Sequence, residues 1–227
     1  MMSQVISPVD AATMIIIDHD GSIPRVLLGR RHEQHVFMPG KFVFPGGRVE
    51  HADAVMPFAS PLSPAVEARL LQETNGIKTA HAFPLAAIRE TFEETGLLLG
   101  KRAAATQNVP AGAWTGFAQT GFMPDLSDIQ FITRAITPPG FPRRFDARFF
   151  AADASAIAHQ IENIIHADAE LVELVWVSIT EAHALDLPMI THLVLDELQN
   201  RIAAGFDHDL PVPFYQMQGT HFTRGLI

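Results

Sequence analysis

The sequence contains no cysteine, which excludes disulfides, thiolate metal sites and a cysteine nucleophile. It is poor in positive charge as well: 16 Lys and Arg face 25 Asp and Glu, for a formal net charge of -9, with no dense basic block. Duplex nucleic acid is held largely through its phosphates, so this chain offers no electrostatic footprint for it, and no nucleic-acid partner is expected. Long apolar runs are missing too. The longest early one is Met14 to Ile17, and the opening Met1-Met2-Ser3-Gln4-Val5-Ile6 lacks a basic region followed by an apolar stretch. These absences predict a soluble, unexported, cytoplasmic protein with no membrane partner. Gly225-Leu226-Ile227 does not form a peroxisomal address of the Ser-Lys-Leu type. Eleven histidines are scattered without a His-Glu-x-x-His pattern and read as structural or surface residues. His166 is the exception, because its loop, shared with Asp168 and Glu170, could face a site.

What is present suits a globular core: 227 residues, 48% hydrophobic and 18% charged, read as one elaborated domain over 1–227. Branched apolar residues predict strands over Ala11–Asp18 and Arg25–Leu28, joined by a hairpin turn at Asp18-His19-Asp20-Gly21-Ser22. A short strand over Lys41–Phe44 runs into Pro45-Gly46-Gly47, where glycine permits a backbone path closed to other residues. A helix over Ser63–Glu73 opens on a Ser-Pro start. Another, over Leu85–Thr95, follows the spacing of Leu85, Ile88 and Phe92 and stops at Gly96. Lys101 to Asp128 is read as a mostly helical excursion. Strands are expected over Phe131–Thr137, Asp146–Ala152 and Leu171–Ile179, a short helix over Ala154–Ile165, and an amphipathic helix over Met189–Ala204. This alternation favours a layered α/β domain.

The helix over Leu85–Thr95 carries the chemistry. Glu90, Glu93 and Glu94 are three and four positions apart and share a face, where like charges oppose helix formation by roughly 0.2–0.5 kcal/mol per pair. A bound cation would reverse that sign. Carboxylates are hard ligands suited to Mg²⁺ or Mn²⁺, which in turn bridge phosphate oxygens, and Arg89 can hold a carboxylate in a forked hydrogen bond. On spacing alone a solvated acidic face is the commoner explanation. The Phe-Pro-Gly-Gly turn before the helix and the Thr-Gly-Leu at its end shift the balance.

Arg89-Glu90-Thr91-Phe92-Glu93-Glu94-Thr95-Gly96-Leu97 resembles the second half of the Nudix box, G-x5-E-x7-R-E-U-x-E-E-x-G-U, with Thr91 in its apolar slot U. The first half begins at Gly47, and six positions on stands Asp53 in place of glutamate. Asp53 and Arg89 are 36 positions apart where the pattern has 8, an excess of 28, so the chain resembles the Nudix branch whose box is interrupted, with 52–84 as the insertion and 101–128 as a second, helical one. That branch includes coenzyme A diphosphatases, and Phe37-Met38-Pro39-Gly40, Val43-Phe44-Pro45-Gly46-Gly47 and the run from Pro142 to Phe150 are also similar to it.

The resemblance implies a Nudix-type α/β/α sandwich with a mixed sheet and helical insertions. It also implies metal-dependent hydrolysis of a pyrophosphate linkage in a small nucleotide substrate, with homodimerisation as a family-level expectation. Coenzyme A or an acyl derivative leads as substrate; ADP-ribose, NADH and a non-catalytic nucleotide sensor are the alternatives. Glu90, Glu93 and Glu94 would hold Mg²⁺ or Mn²⁺, with one of them, Glu90 foremost, able to share the role of base. Arg89 would orient Glu90, and Glu170, ahead of a late strand, would supply the base or another ligand. Glu173 is read as alternating outward on that strand. Gly46 and Gly47 line the substrate path. Among the arginines flanking it (Arg30, Arg31, and the cluster Arg143, Arg144, Arg148), Arg30 and Arg148 are expected to meet substrate phosphate. Trp176 and Phe131 read as core, and Phe37 or Trp114 could stack on a base.

Overall fold

Along Val9–Asp18 (β1), Ala12, Met14 and Ile16 enter one hydrophobic core while Ile15 and Ile17 enter another. Successive strand residues face opposite ways, so a nearly unbroken apolar run is what a strand covered on both faces requires. The computed structural model describes residues 6–72, 74, 80–103, 108–218 and 221–227. Arg25–Arg31 (β2) returns antiparallel to β1, with Ile17 opposite Val26, across the expected turn. Phe42–Val43 (β3) and Gly46–Arg48 (β4) are short strands lying on β2 and β1 respectively.

The remaining strands are Leu97–Arg102 (β5), Phe122–Pro124 (β6), Gln130–Ile136 (β7), Phe145–Asp153 (β8), Ile157–Gln160 (β9), Leu171–Ser178 (β10), Pro213–Gln218 (β11) and His221–Leu226 (β12). The main sheet runs β10-β2-β1-β8-β7-β11-β12, with β1–β8 and β7–β11 parallel and its other pairs antiparallel. A small antiparallel sheet, β6-β5-β9, stands apart. The helices are Pro64–Gln72 (α1), Ala82–Thr95 (α2), Thr115–Gln119 (α3), Ile179–Ala182 (α4) and Met189–Ala203 (α5). Phe83, Ala87 and Ile88 of α2 pack on one face of the main sheet, and Val194, Leu195 and Leu198 of α5 on the other. The result is the α/β/α sandwich with a mixed sheet that the sequence predicts.

Several expectations need correction. Ala154–Ile165 is not helical: one 3-10 turn over Ala154–Ala156 leads into β9, which pairs with β5, so a tertiary partner overrides the alanine-rich local preference. Within Lys101–Asp128, of which 104–107 lie outside the described residues, only α3 is helical, and β6 supplies a strand. Trp176 is not core; on β10, at one end of the sheet, it is 37% exposed. The span 52–84 holds a 3-10 turn at Asp53–Val55, α1 and the first turn of α2. The expected end of its helix at Glu73 lies outside the described residues. Among the described residues, no helix is long and apolar enough to cross a membrane.

Candidate active site

The first two turns of α2 are buried, and Gly96 ends the helix in the left-handed region (φ 74), donating its N–H to the Phe92 carbonyl at 2.9 Å. Only glycine suits that cap, because a β-carbon there would overlap the Ile161 carbonyl oxygen. Thr91, in the apolar slot of the box, is fully buried, and its hydroxyl donates to the Ala87 carbonyl at 2.7 Å. The helix lies against β4, and the two glycines of that strand set how closely. A β-carbon on Gly47 would occupy the space of the Glu90 carboxylate, and one on Gly46 would meet the Ala12 carbonyl oxygen and Thr13. Gly46 also donates its N–H to Glu94 Oε2 at 3.0 Å. The glycine pair thus lets a strand and an acidic helix face approach as no side chain would allow.

Arg89 organises the other side. Its Nε and Nη2 donate to the two oxygens of Asp53 at 2.9 and 3.2 Å, and Nη2 also donates to the Arg48 carbonyl at 2.8 Å. Nη1 donates to Glu90 Oε1 at 2.9 Å and Glu93 Oε2 at 3.2 Å. Asp53 is fully buried and accepts further bonds from the Glu50 N–H at 2.7 Å and from Trp114 Nε1 at 2.9 Å. The shorter acid in the first box position is therefore the anchor of Arg89. Trp114, buried against Phe117, steadies that anchor; its ring cannot stack on a substrate base. The indole lies 61 positions from Asp53, a separation at which local spacing carries no signal.

Electrostatically the acids are frustrated. Burial is the main cause that pushes Glu90 up to about 7, against the pull of Arg89 and with help from the charges of Glu93 and Glu170. Burial also raises Glu93, again against Arg89. Glu94 stands well above the usual carboxylate range, through burial first and the charge of Glu170 second. For Arg89, burial works against its charge, but the bond to Asp53 and the neighbouring carboxylates prevail and raise it.

Glu170 stands at one end of the main sheet. It directly precedes β10, its Oε1 takes a 2.5 Å bond from Arg31 Nη2, and its charge reaches Glu90 and Glu94. Arg30, on β2, donates from Nε to Glu173 at 2.8 Å and lies 3.9 Å from Glu33. Glu173 is thus the outward partner expected. The substrate contact expected of Arg148 is corrected: it is buried at 2% exposure, stacks 4.0 Å over the Phe83 ring, and pairs with Asp10 and Asp146 at 3.1 and 3.3 Å. A guanidinium so enclosed ties β8 to α2 and β1. His166 stays within its own exposed turn, accepting from the Asp168 N–H at 3.3 Å. Phe37 sits edge-on to Phe145. A cavity of about 300 Å³ lined by Leu99, Lys101, Asp125 and Asp153 contains none of the box side chains.

Among the described residues, no three acidic or imidazole side chains already stand grouped to hold a metal ion. The donor set nonetheless fits one. Its ligands are hard oxygens, Gly47 leaves the Glu90 carboxylate its space, and burial has left these acids with raised affinities for a proton that a cation would displace.

No protein-family model matches the chain, and no curated protein matches it. Solved structures do. The crystal structure of a Nudix hydrolase from Alicyclobacillus acidocaldarius is 26% identical, with 91% of this chain and 86% of that one covered and a TM-score of 0.58. The MutT protein from Methanosarcina mazei (17% identity, 88% and 99% covered, TM-score 0.49) is more distant. So is the Nudix domain of Shewanella oneidensis NrtR, solved with ADP ribose (12%, 87% and 90%, 0.49). The likeness to the Alicyclobacillus structure over nine-tenths of the chain shows a Nudix-type fold and, joined to the charged half of the box on α2, supports a Nudix pyrophosphohydrolase.

Proposed function

We propose that the protein hydrolyses the pyrophosphate linkage of a nucleoside diphosphate joined to another moiety, with coenzyme A or acyl-coenzyme A as the leading substrate and Mg²⁺ or Mn²⁺ as the cation. The observation that carries this reading is the buried convergence of Glu90 and Glu94 on the Gly46–Gly47 strand, with Glu93 one turn along the same helix. Three acids at such spacing on a partly buried face cost stability unless positive charge joins them.

Glu90, Glu93 and Glu94 would hold the metal, which supplies charge neutralisation at the phosphates and a more acidic water. Arg89 fixes Glu90 and Glu93 by one oxygen each and leaves each a second oxygen for ligation. Glu170 accepts the proton of the attacking water. The bare backbone of Gly46 and Gly47 admits the diphosphate beside the helix, and Arg30 meets it from β2. The interrupted box, with 52–84 as the insertion, and the Phe44-Pro45-Gly46-Gly47 lead-in support the coenzyme A branch. A cytoplasmic, homodimeric protein accords with that reading.

The test is product analysis on coenzyme A, ADP-ribose and NADH with and without Mg²⁺. Phosphopantetheine released from coenzyme A only when Mg²⁺ is present is the expected result. AMP from ADP-ribose or NADH alone would reassign the substrate, and no metal-dependent product from any of them would remove the hydrolase reading of this site.

A further inference from the structure

Arg31 and His35 are not part of the box, yet both meet Glu170 at one atom. Arg31 Nη2 donates to Glu170 Oε1 at 2.5 Å, and His35 Nε2 lies 3.1 Å from the same oxygen. With its proton on Nε2, neutral His35 donates to Glu170 and its Nδ1 accepts the Phe37 N–H at 3.3 Å. With its proton on Nδ1, it donates to the Phe37 carbonyl at 3.1 Å and Nε2 accepts from Arg31, so in either form His35 holds Glu170 directly or through Arg31. Arg31 Nη2 lies 2.9 Å from His35 Nε2, so the three groups form one cluster around Oε1. The main chain is held too, since the His32 N–H donates to the Glu170 carbonyl at 3.0 Å. Among the described residues Oε2 takes no hydrogen bond, while the Glu170 charge is felt at Glu90 and Glu94.

Arg31 is placed at a cost. Among the described residues its Nε is buried with no acceptor, an unmet donor that costs stability. Arg30, next along the strand, is by contrast matched to Glu173.

We infer that Arg31 and His35 are positioning residues that grip Glu170 by Oε1 and turn Oε2 towards the acidic face of α2. The inference rests on the proposed hydrolase reading, with Glu170 as proton acceptor. It also makes the segment 32–41 part of the active site's support, because His35 links that segment to the base and a shift of the segment releases Glu170.

The experiment measures kcat, KM and melting temperature for Glu170→Gln, His35→Gln, Arg31→Gln and Arg31→Lys, on whichever of coenzyme A, ADP-ribose and NADH is cleaved. Mg²⁺ affinity is measured for each variant with the metal alone. Glu170→Gln is expected to lower kcat about a hundredfold or more, the range for a lost general base. His35→Gln and Arg31→Gln are expected to lower kcat about tenfold or more with KM and Mg²⁺ affinity unchanged, as for lost orienting contacts, and Arg31→Lys to recover most of it by restoring one donor. His35 lies in a surface segment, so His35→Gln keeps the test alive if an Arg31 variant fails to fold. Wild-type kcat in His35→Gln and Arg31→Gln beside a dead Glu170→Gln would overturn the grip and leave the base in place. An Arg31→Gln effect confined to KM would overturn it in favour of substrate binding. Wild-type activity in Glu170→Gln would overturn the base assignment itself.

Discussion

Two clusters of buried charge lie on opposite faces of the main sheet, and they balance their charges differently. On the α5 face, Glu197 receives Arg224 Nε and Nη2 at 2.6 and 3.1 Å together with the Tyr215 hydroxyl. Burial pushes Glu197 up, but these donors more than offset it and its pKa falls below the ordinary value. On the α2 face, one arginine serves Asp53, Glu90 and Glu93 at once, and Glu90, Glu93 and Glu94 all stand above theirs. A cluster built to hold a fold saturates its acids. The other saturates only Asp53 and leaves the remaining acids short of positive charge, which is the condition a cation relieves.

The contrast can be broken most severely at Arg89. Arg89→Met strands Asp53 in the interior, and we expect a loss of about 3–5 kcal/mol in denaturant unfolding, with activity lost as well. A variant that retains wild-type stability would show that Asp53 does not depend on this partner. Glu94→Gln keeps an acceptor for the Gly46 N–H but removes the charge. Turnover should fall roughly a hundredfold or more, as when a preorganised electrostatic group is deleted, while metal-free melting temperature rises or holds. Undiminished turnover would take Glu94 out of the site. Glu197→Gln should cost about 2 kcal/mol, the worth of bonds to a charged group, and leave kcat and KM alone. A drop in kcat there would couple the two faces.

The smallest effect concerns pH, and the two clusters should respond with opposite signs. Glu90 binds its proton more tightly folded than unfolded, so between about pH 4.5 and about 7 it makes the metal-free protein less stable as pH rises. Glu197, with its folded pKa depressed, adds stability above its unfolded pKa that is lost as pH falls through the folded one. Melting curves from about pH 2.5 to about 8 without metal should therefore show Glu90→Gln flattening a decline towards neutrality and Glu197→Gln flattening a decline below about pH 4.5. Slopes of one sign in both would refute the difference in charge balance. Added Mg²⁺ should stabilise the wild type more at pH 7.5 than at pH 5.5, since protonated carboxylates do not ligate.

Much of this architecture was legible in the chain because its signals are local. The apolar run of β1, the Leu85–Ile88–Phe92 spacing of α2 and the αL stop at Gly96 each report on a few neighbouring residues. The acids of the site were legible for the same reason, as were the glycines they rest against. What escaped depends on partners distant in sequence. β9 exists because β5 offers it an edge, and the Asp53–Trp114 bond spans 61 positions. Arg148 was misread because an arginine in an aromatic-rich strand start looks like a surface cation until Phe83 and Asp10 enclose it. His35 and Arg31 gain meaning only when β10 delivers Glu170 beside them.

Thr91 occupies a place that the box reserves for hydrocarbon. Because its hydroxyl is spent on the helix's own backbone, the neighbours meet only its methyl group, and the residue packs as valine would. Membership in such a pattern is settled by the atoms a side chain shows to its surroundings after folding, so motif searches that score letters will pass over chains whose interiors obey the rule in this disguise.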